Sequence, residues 1–355
     1  MENISFLFFP SLTGLVLIAI LFVKSDKSKT EKIYMNSKKS EFVFYPKDIH
    51  LRDDAFHGSK TSRYTEWWYF DTVLNDGYSV QLSVRLISLL RQFLGLAVLR
   101  LDIYKDGNLK THNKKIYPLK NLHLNTDVPL IKAAGKQIMK GYINETTGKW
   151  TYDLSFNIND KSADLRFIGT TKGWKGTNPG GDGWGVILPR AEVSGKIEIG
   201  NKKIKVNGIG YHDHNWNVKT AAVFNLGWFW GKINSNTYTI VWATIFKTSS
   251  LGQPLLVVNK KNKDYFNIKP ENIQFIAKDI YKENGKEIPH SFFITAQTEN
   301  VSIHVTMDVE KIHHVKMLLI MNYWRYHVKC NGSITIDSRS ESIDEMHIAE
   351  FLKFG

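Results

Sequence analysis

The sequence predicts an all-β protein in which two antiparallel β-barrel domains follow an N-terminal transmembrane helix. Three observations support this: apolar and polar residues alternate in many short segments after residue 42, an aromatic hairpin occurs twice, and residues 4–23 are apolar and uncharged. Aromatic residues make up 13% of the chain, which suits β-structure. We expect an anchor at residues 1–23, a linker at 24–41, and barrel domains at 42–210 and 211–355.

The N-terminal apolar stretch is long enough to cross a bilayer as a helix, which takes about 20 residues. No lysine or arginine precedes it and no small-residue cleavage site follows Val23, so an anchor is favoured over a cleaved signal peptide. Positive charges come afterwards, at Lys24, Lys27, Lys29 and Lys32. By the positive-inside tendency they place the body of the protein on the cytoplasmic face of the membrane.

The composition limits the classes of partner. The formal net charge is +13, but the lysines and arginines are spread through strand-like segments, and no nucleic-acid-binding motif is recognisable. Membrane lipid is therefore the expected partner for this charge, and nucleic acid is not expected. The single cysteine, Cys330, excludes an intrachain disulfide and any site built from several cysteines. We expect Cys330 to be a small buried apolar residue.

The strand pattern begins with an aromatic hairpin. Glu66-Trp-Trp-Tyr-Phe-Asp-Thr-Val-Leu74 predicts a strand, Asn75-Asp-Gly77 a turn, and Tyr78-Ser-Val-Gln-Leu-Ser-Val84 the return strand. Alternation predicts further strands at residues 94–104, 149–156, 163–170, 301–307 and 322–330. Residues 173–185 are so rich in glycine that we predict a loop there.

The second half of the chain repeats this hairpin. Residues 227–242 align without a gap on residues 67–82, and the alignment matches Trp68 with Trp228, Tyr69 with Phe229, Phe70 with Trp230, Tyr78 with Tyr238 and Val80 with Ile240. Each half also contains a glycine-led strand, Gly195-Lys-Ile-Glu-Ile199 or Gly332-Ser-Ile-Thr-Ile336. These similarities predict a duplication. Closure into barrels would hide the sheet edges and create a lumen for an apolar ligand.

The densest group of chemically active residues is Val206-Asn-Gly-Ile-Gly-Tyr-His-Asp-His-Asn-Trp-Asn217. Gly208 and Gly210 allow close approach of the backbone to a neighbour. In an extended chain, His212, His214 and Trp216 lie on one face, and Tyr211, Asp213 and Asn215 lie on the other. This stretch is the candidate site. The structural alternative is that these groups satisfy one another where two sheets meet.

Three of these stretches resemble a known family. They are Glu66-Trp-Trp-Tyr-Phe70, the Gly195-Lys-Ile hairpin and Gly208-Ile-Gly-Tyr-His-Asp-His-Asn-Trp216, and they resemble the lipocalin-like family of hydroxyneurosporene synthase (carotenoid 1,2-hydratase) and AttH-like proteins. Fungal decalin-forming pericyclases share this architecture. The resemblance extends from about residue 42 to the C-terminus. It implies two lipocalin-like barrels with a ligand pocket at or near their junction.

For the hydratases, the resemblance further implies addition of water to a terminal alkene of an acyclic carotenoid without a cofactor. A tyrosine and an acidic residue are expected on the strand that follows the histidine motif in these enzymes. The corresponding segment here, Ile240-Val-Trp-Ala243, is apolar. The fold and the pocket therefore transfer more readily than the reaction.

Hydration of an alkene needs a proton donor, a group that stabilises the carbocation, and a positioned water. A buried Asp213 or Glu66 could donate the proton, and His212 or His214 could orient or deprotonate the water. Tryptophan rings could face the cation. The predicted catalytic residues are therefore Asp213, His214, Trp216 and Glu66, and the predicted substrate-binding residues are Trp68, Tyr211, His212, Trp228 and Trp230. We expect them around one pocket at the domain junction.

Three classes of function remain open. The first is a cofactor-free lyase or isomerase that acts on an isoprenoid or polyene. The second is a lipocalin-like carrier of an apolar ligand at the membrane, in which Asp213 and the histidines only hold the junction. The third is a metal enzyme that uses His212 and His214. It ranks last, because Asp213 points to the opposite face and the spacing supplies no third ligand.

Overall fold

A computed structural model describes residues 44–58, 63–91, 94–177, 181–219, 226–247, 254–283, 285–317 and 321–354. The anchor predicted at residues 4–23 and the linker predicted at 24–41 lie outside these residues. Within the described ranges, no helix has the length and apolar character needed to span a membrane.

The described chain is almost entirely β-structure. Its strands are β1 Lys47–Asp48, β2 Tyr64–Leu74, β3 Tyr78–Arg91, β4 Leu94–Lys105, β5 Asn108–Pro118, β6 Leu122–Leu124, β7 Leu130–Ala133, β8 Lys136–Ile143, β9 Trp150–Ile158, β10 Lys161–Gly169, β11 Trp174–Thr177, β12 Gly183–Ile199, β13 Lys202–Lys219, β14 Leu226–Asn234, β15 Tyr238–Lys247, β16 Pro254–Lys260, β17 Tyr265–Ile268, β18 Ile273–Glu283, β19 Lys286–Gln297, β20 Val301–Met317, β21 Met321–Ile336 and β22 Arg339–Phe354. Short 3₁₀ turns occur at Leu51–Asp54, Asn75–Gly77, Leu119–Asn121 and Pro270–Asn272.

These strands form two antiparallel sheets. The first has the order β5-β4-β3-β2-β13-β12-β10-β9-β8-β7-β6, with β1 and β11 attached beside β12, and the second has the order β17-β16-β15-β14-β22-β21-β20-β19-β18. Together they make a nearly closed barrel and a half-barrel, two barrel domains in tandem. The all-β prediction is confirmed, although closure is less complete than expected. The boundary predicted after residue 210 falls inside β13, which pairs with β2 as far as Lys219.

Each sheet buries one face of its strands in an apolar core of its own. Trp68 and Phe70 of β2 lie in the first core, whereas Phe229 of β14 and Trp324 of β21 lie in the second. Cys330 is buried in the second core with a free thiol, as predicted. The opposite faces of β2, β13 and β14 meet at the domain junction.

The repeated hairpin occupies equivalent places in the two sheets. β2 and β14 each start a hairpin and pair with the last strand of their own sheet, β13 or β22. The return strands match as predicted, because Val80 and Ile240 both point into their cores. The first strands differ by one residue, since Trp68 points into a core and Trp228 packs at the junction.

The gap-free alignment is therefore wrong for the first strand of the hairpin, and the turns give the reason. The first turn has three residues, Asn75–Gly77, between paired strands. The second turn leaves residues 236 and 237 between Ser235 and Tyr238, whose backbones are hydrogen bonded. A turn shorter by one residue inverts the faces of the preceding strand, because side chains alternate. Phe229, rather than Trp228, is thus the counterpart of Trp68.

The glycine-rich stretch at residues 173–185 is only partly the loop that the sequence predicts. Trp174–Thr177 form β11, which pairs with the beginning of β12. Glycine is required here because aromatic rings cover the backbone. A Cβ at Gly176 would overlap the Phe44 ring, and a Cβ at Gly183 would overlap the indole of Trp216. Gly176 and Gly183 therefore serve close packing rather than chain flexibility.

The glycine-led strands of the two halves share an unusual backbone. Gly195 has a φ of 151° and Gly332 a φ of 154°. A Cβ at either position would overlap a carbonyl oxygen of the paired strand, that of Asp164 or that of His304. The duplication extends to this local conformation.

We expect Gly195→Ala and Gly332→Ala each to lower the free energy of unfolding by about 2–4 kcal/mol, because backbone strain and steric overlap add. Gly148→Ala is the matched control: Gly148 also has positive φ, but open space surrounds it, so about 1 kcal/mol is expected. Urea unfolding measures all three. Equal losses in the three variants would contradict the proposed overlap.

Candidate functional site

The strand β13 carries the candidate motif and lies between β2 and β12. Tyr69 is the register partner of Asp213, and Trp68 is the partner of His214. Two glycines bring these strands together: a Cβ at Gly208 would overlap the carbonyl oxygen of Val73, and a Cβ at Gly210 would overlap the ring of Phe167. Because side chains alternate, the motif presents its groups to two separate environments.

His212 lies on the inner face of β13 and is fully buried. Its Nε2 is 3.0 Å from Oδ2 of Asp54, and its Nδ1 is 2.9 Å from the carbonyl oxygen of Tyr69. The imidazole stacks on Phe70 with the ring centroids 3.7 Å apart. The hydroxyl of Tyr152 donates a hydrogen bond to the same Asp54 oxygen at 2.7 Å.

His214 is buried on the same face, between two carboxyl groups. Its Nε2 is 3.1 Å from Oε1 of Glu66, and its Nδ1 is 3.2 Å from Oδ1 of Asp54, without the alignment of a good hydrogen bond. Glu66 also accepts hydrogen bonds from the backbone N–H groups of His57 and Gly58. Asp54, Glu66, His212 and His214 are called the inner-face cluster below.

The inner-face cluster holds opposite charges together. Burial alone would raise the pKa of Asp54, but the charge and hydrogen bond of His212, with His214, lower it to about 2. Burial alone would lower the pKa of His214, but the close contacts with the carboxylates of Asp54 and Glu66 raise it to about 9. Both ring nitrogens of each histidine already contact a protein oxygen. The cluster is therefore suited to holding the 3₁₀ turn Leu51–Asp54 against the barrel.

Asp213 lies on the other face of β13, at the domain junction. Its Oδ2 accepts hydrogen bonds from the hydroxyl of Tyr211 at 2.9 Å and from the indole N–H of Trp184 at 3.3 Å. Its Oδ1 accepts a hydrogen bond from the side-chain amide of Asn215 at 3.3 Å. All three donors are neutral, so no positive charge offsets the burial of this carboxyl group.

Burial raises the pKa of Asp213 to about 7, although the hydrogen bonds from Tyr211 and Trp184 act in the opposite direction. The negative charges of Glu350 and Asp71 add to the increase. Asp213 and Asp54 are both buried, yet their pKa values move in opposite directions because their partners differ. At neutral pH, Asp213 can release a proton, whereas Asp54 has none to give.

Aromatic rings surround Asp213 at the junction. The ring centroid of Trp230 is 4.8 Å from that of Tyr211 and 5.8 Å from that of Tyr69. Half-buried Trp67 and Trp228 pack at the edge of the same group. Strands of both domains contribute these rings, so the junction forms only when the two barrels are together.

A charged network lies next to these rings and spans the two domains. The ammonium of Lys232 pairs with Asp71, and the guanidinium of Arg325 contacts Glu350 at 3.1 Å. Tyr69 lies between the pairs: its hydroxyl donates to Glu350 at 2.6 Å, accepts from Arg325 at 2.7 Å and is 3.1 Å from Oδ2 of Asp71. These four charged side chains, Asp71, Lys232, Arg325 and Glu350, are called the junction network below.

The structure divides the predicted site residues between two places. Glu66, Trp68, His212, His214 and Trp216 lie on the inner face of the first sheet, whereas Asp213, Tyr211, Trp228 and Trp230 lie at the junction. The prediction of one shared pocket is therefore wrong. The alternation that separates His214 from Asp213 on β13 also separates Trp68 from Tyr69 on β2.

Sequence reasoning did not find Asp54 or the junction network. Asp54 is 158 residues from His212, and its short segment has no periodic pattern. Arg325 occupies a polar position of an alternating strand, and such positions usually face solvent. Here the first domain packs on it, and Tyr69 accepts a hydrogen bond from its guanidinium. Among the side chains that the structure describes, no group of three or more His, Cys, Asp or Glu residues is arranged to hold a metal ion.

Comparison with known proteins identifies the fold. No family model matches the chain. No curated protein matches it either. Among solved structures it is similar to a protein described as AttH from Nitrosomonas europaea, with a TM-score of 0.61 and 15% identity over 87% of this chain and 98% of that one.

Two further solved structures are similar. One is kievitone hydratase from Nectria haematococca, with a TM-score of 0.51 and 10% identity over 85% of this chain and 93% of that one. The other is CghA, with a TM-score of 0.53 and 8% identity over 88% of this chain and 98% of that one. The chain therefore shares the lipocalin-like two-barrel fold of these proteins, in agreement with the AttH-like resemblance.

We expect His214→Gln to lower the free energy of unfolding by about 3–5 kcal/mol, because it leaves buried carboxylates without their cation. His304→Gln, at an exposed side chain on β20, is the control and should change little. In the native protein, the contribution of His214 should be complete below pH 6.5 and decline as the pH rises through about 9. That of Asp54 should be complete above pH 3.8 and decline as the pH falls through about 2. A tolerated His214→Gln would contradict a structural role.

Proposed function

We propose that the protein is a hydratase-like enzyme that adds water to an alkene, with Asp213 as the proton donor. The observation that carries the proposal is a buried carboxyl group held only by neutral donors and surrounded by aromatic rings at the junction. The name of kievitone hydratase, which shares the fold, is consistent with this reaction class. The inner-face cluster is the weaker candidate, because its nitrogens are already occupied.

The reaction can be written with a single acid–base residue. The O–H bond of protonated Asp213 breaks as the proton adds to one alkene carbon, which leaves a carbocation at the other. The π faces of Trp230 and Tyr69 stabilise this cation. A water molecule adds to it and gives its extra proton back to the Asp213 carboxylate. The product is an alcohol, and the enzyme returns to its starting state without a cofactor.

The proposed substrate is an isoprenoid or polyene, as in the carotenoid 1,2-hydratases that the sequence resembles. Aromatic walls supply apolar contact area but few hydrogen bonds, which suits such a molecule. We also propose that residues 4–23 anchor the enzyme in a membrane, with its body on the cytoplasmic side. An apolar substrate would be dissolved in the lipid of this membrane. The alternative is a carrier on the same fold, which would return its ligand chemically unchanged.

We expect Asp213→Asn to reduce turnover by about a hundredfold or more, with ligand binding largely retained, because the amide keeps the shape but cannot donate the proton. The control is Asp153→Asn, the same change at a partly exposed carboxylate on β9. Product analysis by mass spectrometry of isoprenoid and polyene candidates gives the rate.

Stability separates the catalytic role of Asp213 from a structural one. A carboxyl group whose folded pKa is about 7 stabilises the protein most below pH 3.8, and this contribution is lost as the pH rises to 7. Asp213→Asn should therefore be more stable than the native protein at pH 8, by on the order of 2 kcal/mol. A variant that unfolds at pH 8 would support the structural interpretation instead.

The pH dependence of turnover provides an independent test. The rate should fall as the pH rises through about 7, because Asp213 must be protonated. Tyr211→Phe removes a hydrogen bond that lowers this pKa, so the descending limb should move to higher pH. Tyr152→Phe, which removes a hydroxyl bonded to Asp54, should leave the limb in place. Equal profiles for all three proteins would exclude Asp213 as the titrating acid.

A further inference from the structure

The outer face of the first sheet exposes apolar side chains on neighbouring strands. Ile116 is 60% exposed, Leu94 56% and Leu96 40%. Strand register places Leu96 beside Ile87, and Val98 beside Ile116. Ala97, Leu99 and Leu101 alternate with these residues and fill the core. Together, Ile87, Leu94, Leu96, Val98 and Ile116 form one continuous surface, which we call the apolar patch.

Basic residues lie beside the apolar patch. Residues 107–126 contain four lysines and no acidic residue. One of these lysines, Lys114, is exposed on the same face of β5 as Ile116, and Arg85 of β3 is the register partner of Val98. Lysines on an edge strand can simply prevent sheet pairing, but that role does not explain the exposed leucines and isoleucine.

An apolar centre bordered by lysine and arginine matches the chemistry of a bilayer surface. Apolar side chains enter the boundary with the acyl chains, and lysines reach the headgroups from the edge. Each basic side chain near an anionic leaflet adds electrostatic attraction to the contact. The charge of this patch is therefore complementary to anionic lipid.

The apolar patch continues into the edge of the junction. Val98 pairs with Arg85, whose guanidinium carbon is 5.1 Å from the ring centroid of Trp67. Trp67 is half-buried and packs against the aromatic rings that surround Asp213. A bilayer that covers the patch would therefore lie beside the edge of the junction.

We propose that the apolar patch is a membrane-contact surface that binds anionic bilayers and brings the junction next to the lipid. The contact itself does not depend on the reaction assigned to Asp213. Its use, delivery of an apolar substrate from the membrane, rests on the proposed function. This contact is separate from the predicted anchor at residues 4–23, because it involves the folded body.

A depth-dependent quenching experiment tests the contact with the full-length chain in vesicles. Ile116→Cys carries a fluorophore, and the native Cys330 is buried. Ile143→Cys on β8, at a 46% exposed position outside the patch, is the matched control. In vesicles of phosphatidylcholine and phosphatidylserine that contain brominated lipid, the label at 116 should be quenched at least threefold more than the label at 143. Replacing phosphatidylserine with phosphatidylcholine, or Lys114 with glutamate, should reduce this difference.

Equal quenching at positions 116 and 143 would overturn the proposal. Protection of position 116 from both brominated lipid and aqueous iodide would also overturn it, because another protein segment or a second copy would then cover the patch. The measurement needs no substrate, so its failure is independent of the hydratase assignment. Conversely, loss of turnover in Asp213→Asn with normal quenching at position 116 would show that the membrane contact does not depend on the acid.

Discussion

The alternation of side chains along β13 is the constraint on which the site depends. One strand carries His212 and His214 into the first barrel and Asp213 towards the second domain. A register shift of one residue would exchange these environments. It would turn Asp213 into the first barrel, next to the carboxyl groups that now contact His212 and His214. Gly208 and Gly210 help to fix this register, because only glycine fits so close to the neighbouring strands.

The two faces treat buried charge in opposite ways. Within the first barrel, imidazoles and carboxyl groups neutralise one another, and the interaction joins Asp54 of the N-terminal segment to a distant strand. At the junction, Asp213 receives neutral donors while the nearby cations pair with Asp71 and Glu350. The junction network thus occupies the positive charges that would otherwise keep Asp213 ionised. A carboxyl group whose pKa is strongly shifted by burial is typical of functional sites.

Much of the fold followed from sequence patterns, because alternation and turn residues are local signals. The paired hairpins and the opposite faces of the histidine motif are examples, and both were found. The predicted equivalence of Trp68 and Trp228 is wrong, because a difference of one residue in turn length is hard to detect in an alignment of aromatic-rich segments. Contacts between segments that are distant in sequence were missed. Asp54 and Arg325 acquire their partners only when the barrel closes and the domains pack.

The separation of roles also suggests why the motif is so dense. Stability of the first barrel and the proposed chemistry at the junction draw on adjacent residues of one strand, so each constrains the other. Trp184 of the neighbouring strand β12 belongs to the junction, where it packs with Phe44 and Trp174 and donates a hydrogen bond to Asp213. Changes at this strand should therefore be interpreted one face at a time.

Infrared titration of the carboxyl C=O stretch is the most direct test of a protonated Asp213, because only a protonated carboxyl group gives this band. If Asp213 is the proton donor, the native protein should show a band at pH 6 that disappears as the pH rises through about 7. The band should be absent in Asp213→Asn and retained in Asp153→Asn. A native protein without the band, or a band that persists in Asp213→Asn, would contradict the assignment of Asp213 as the acid.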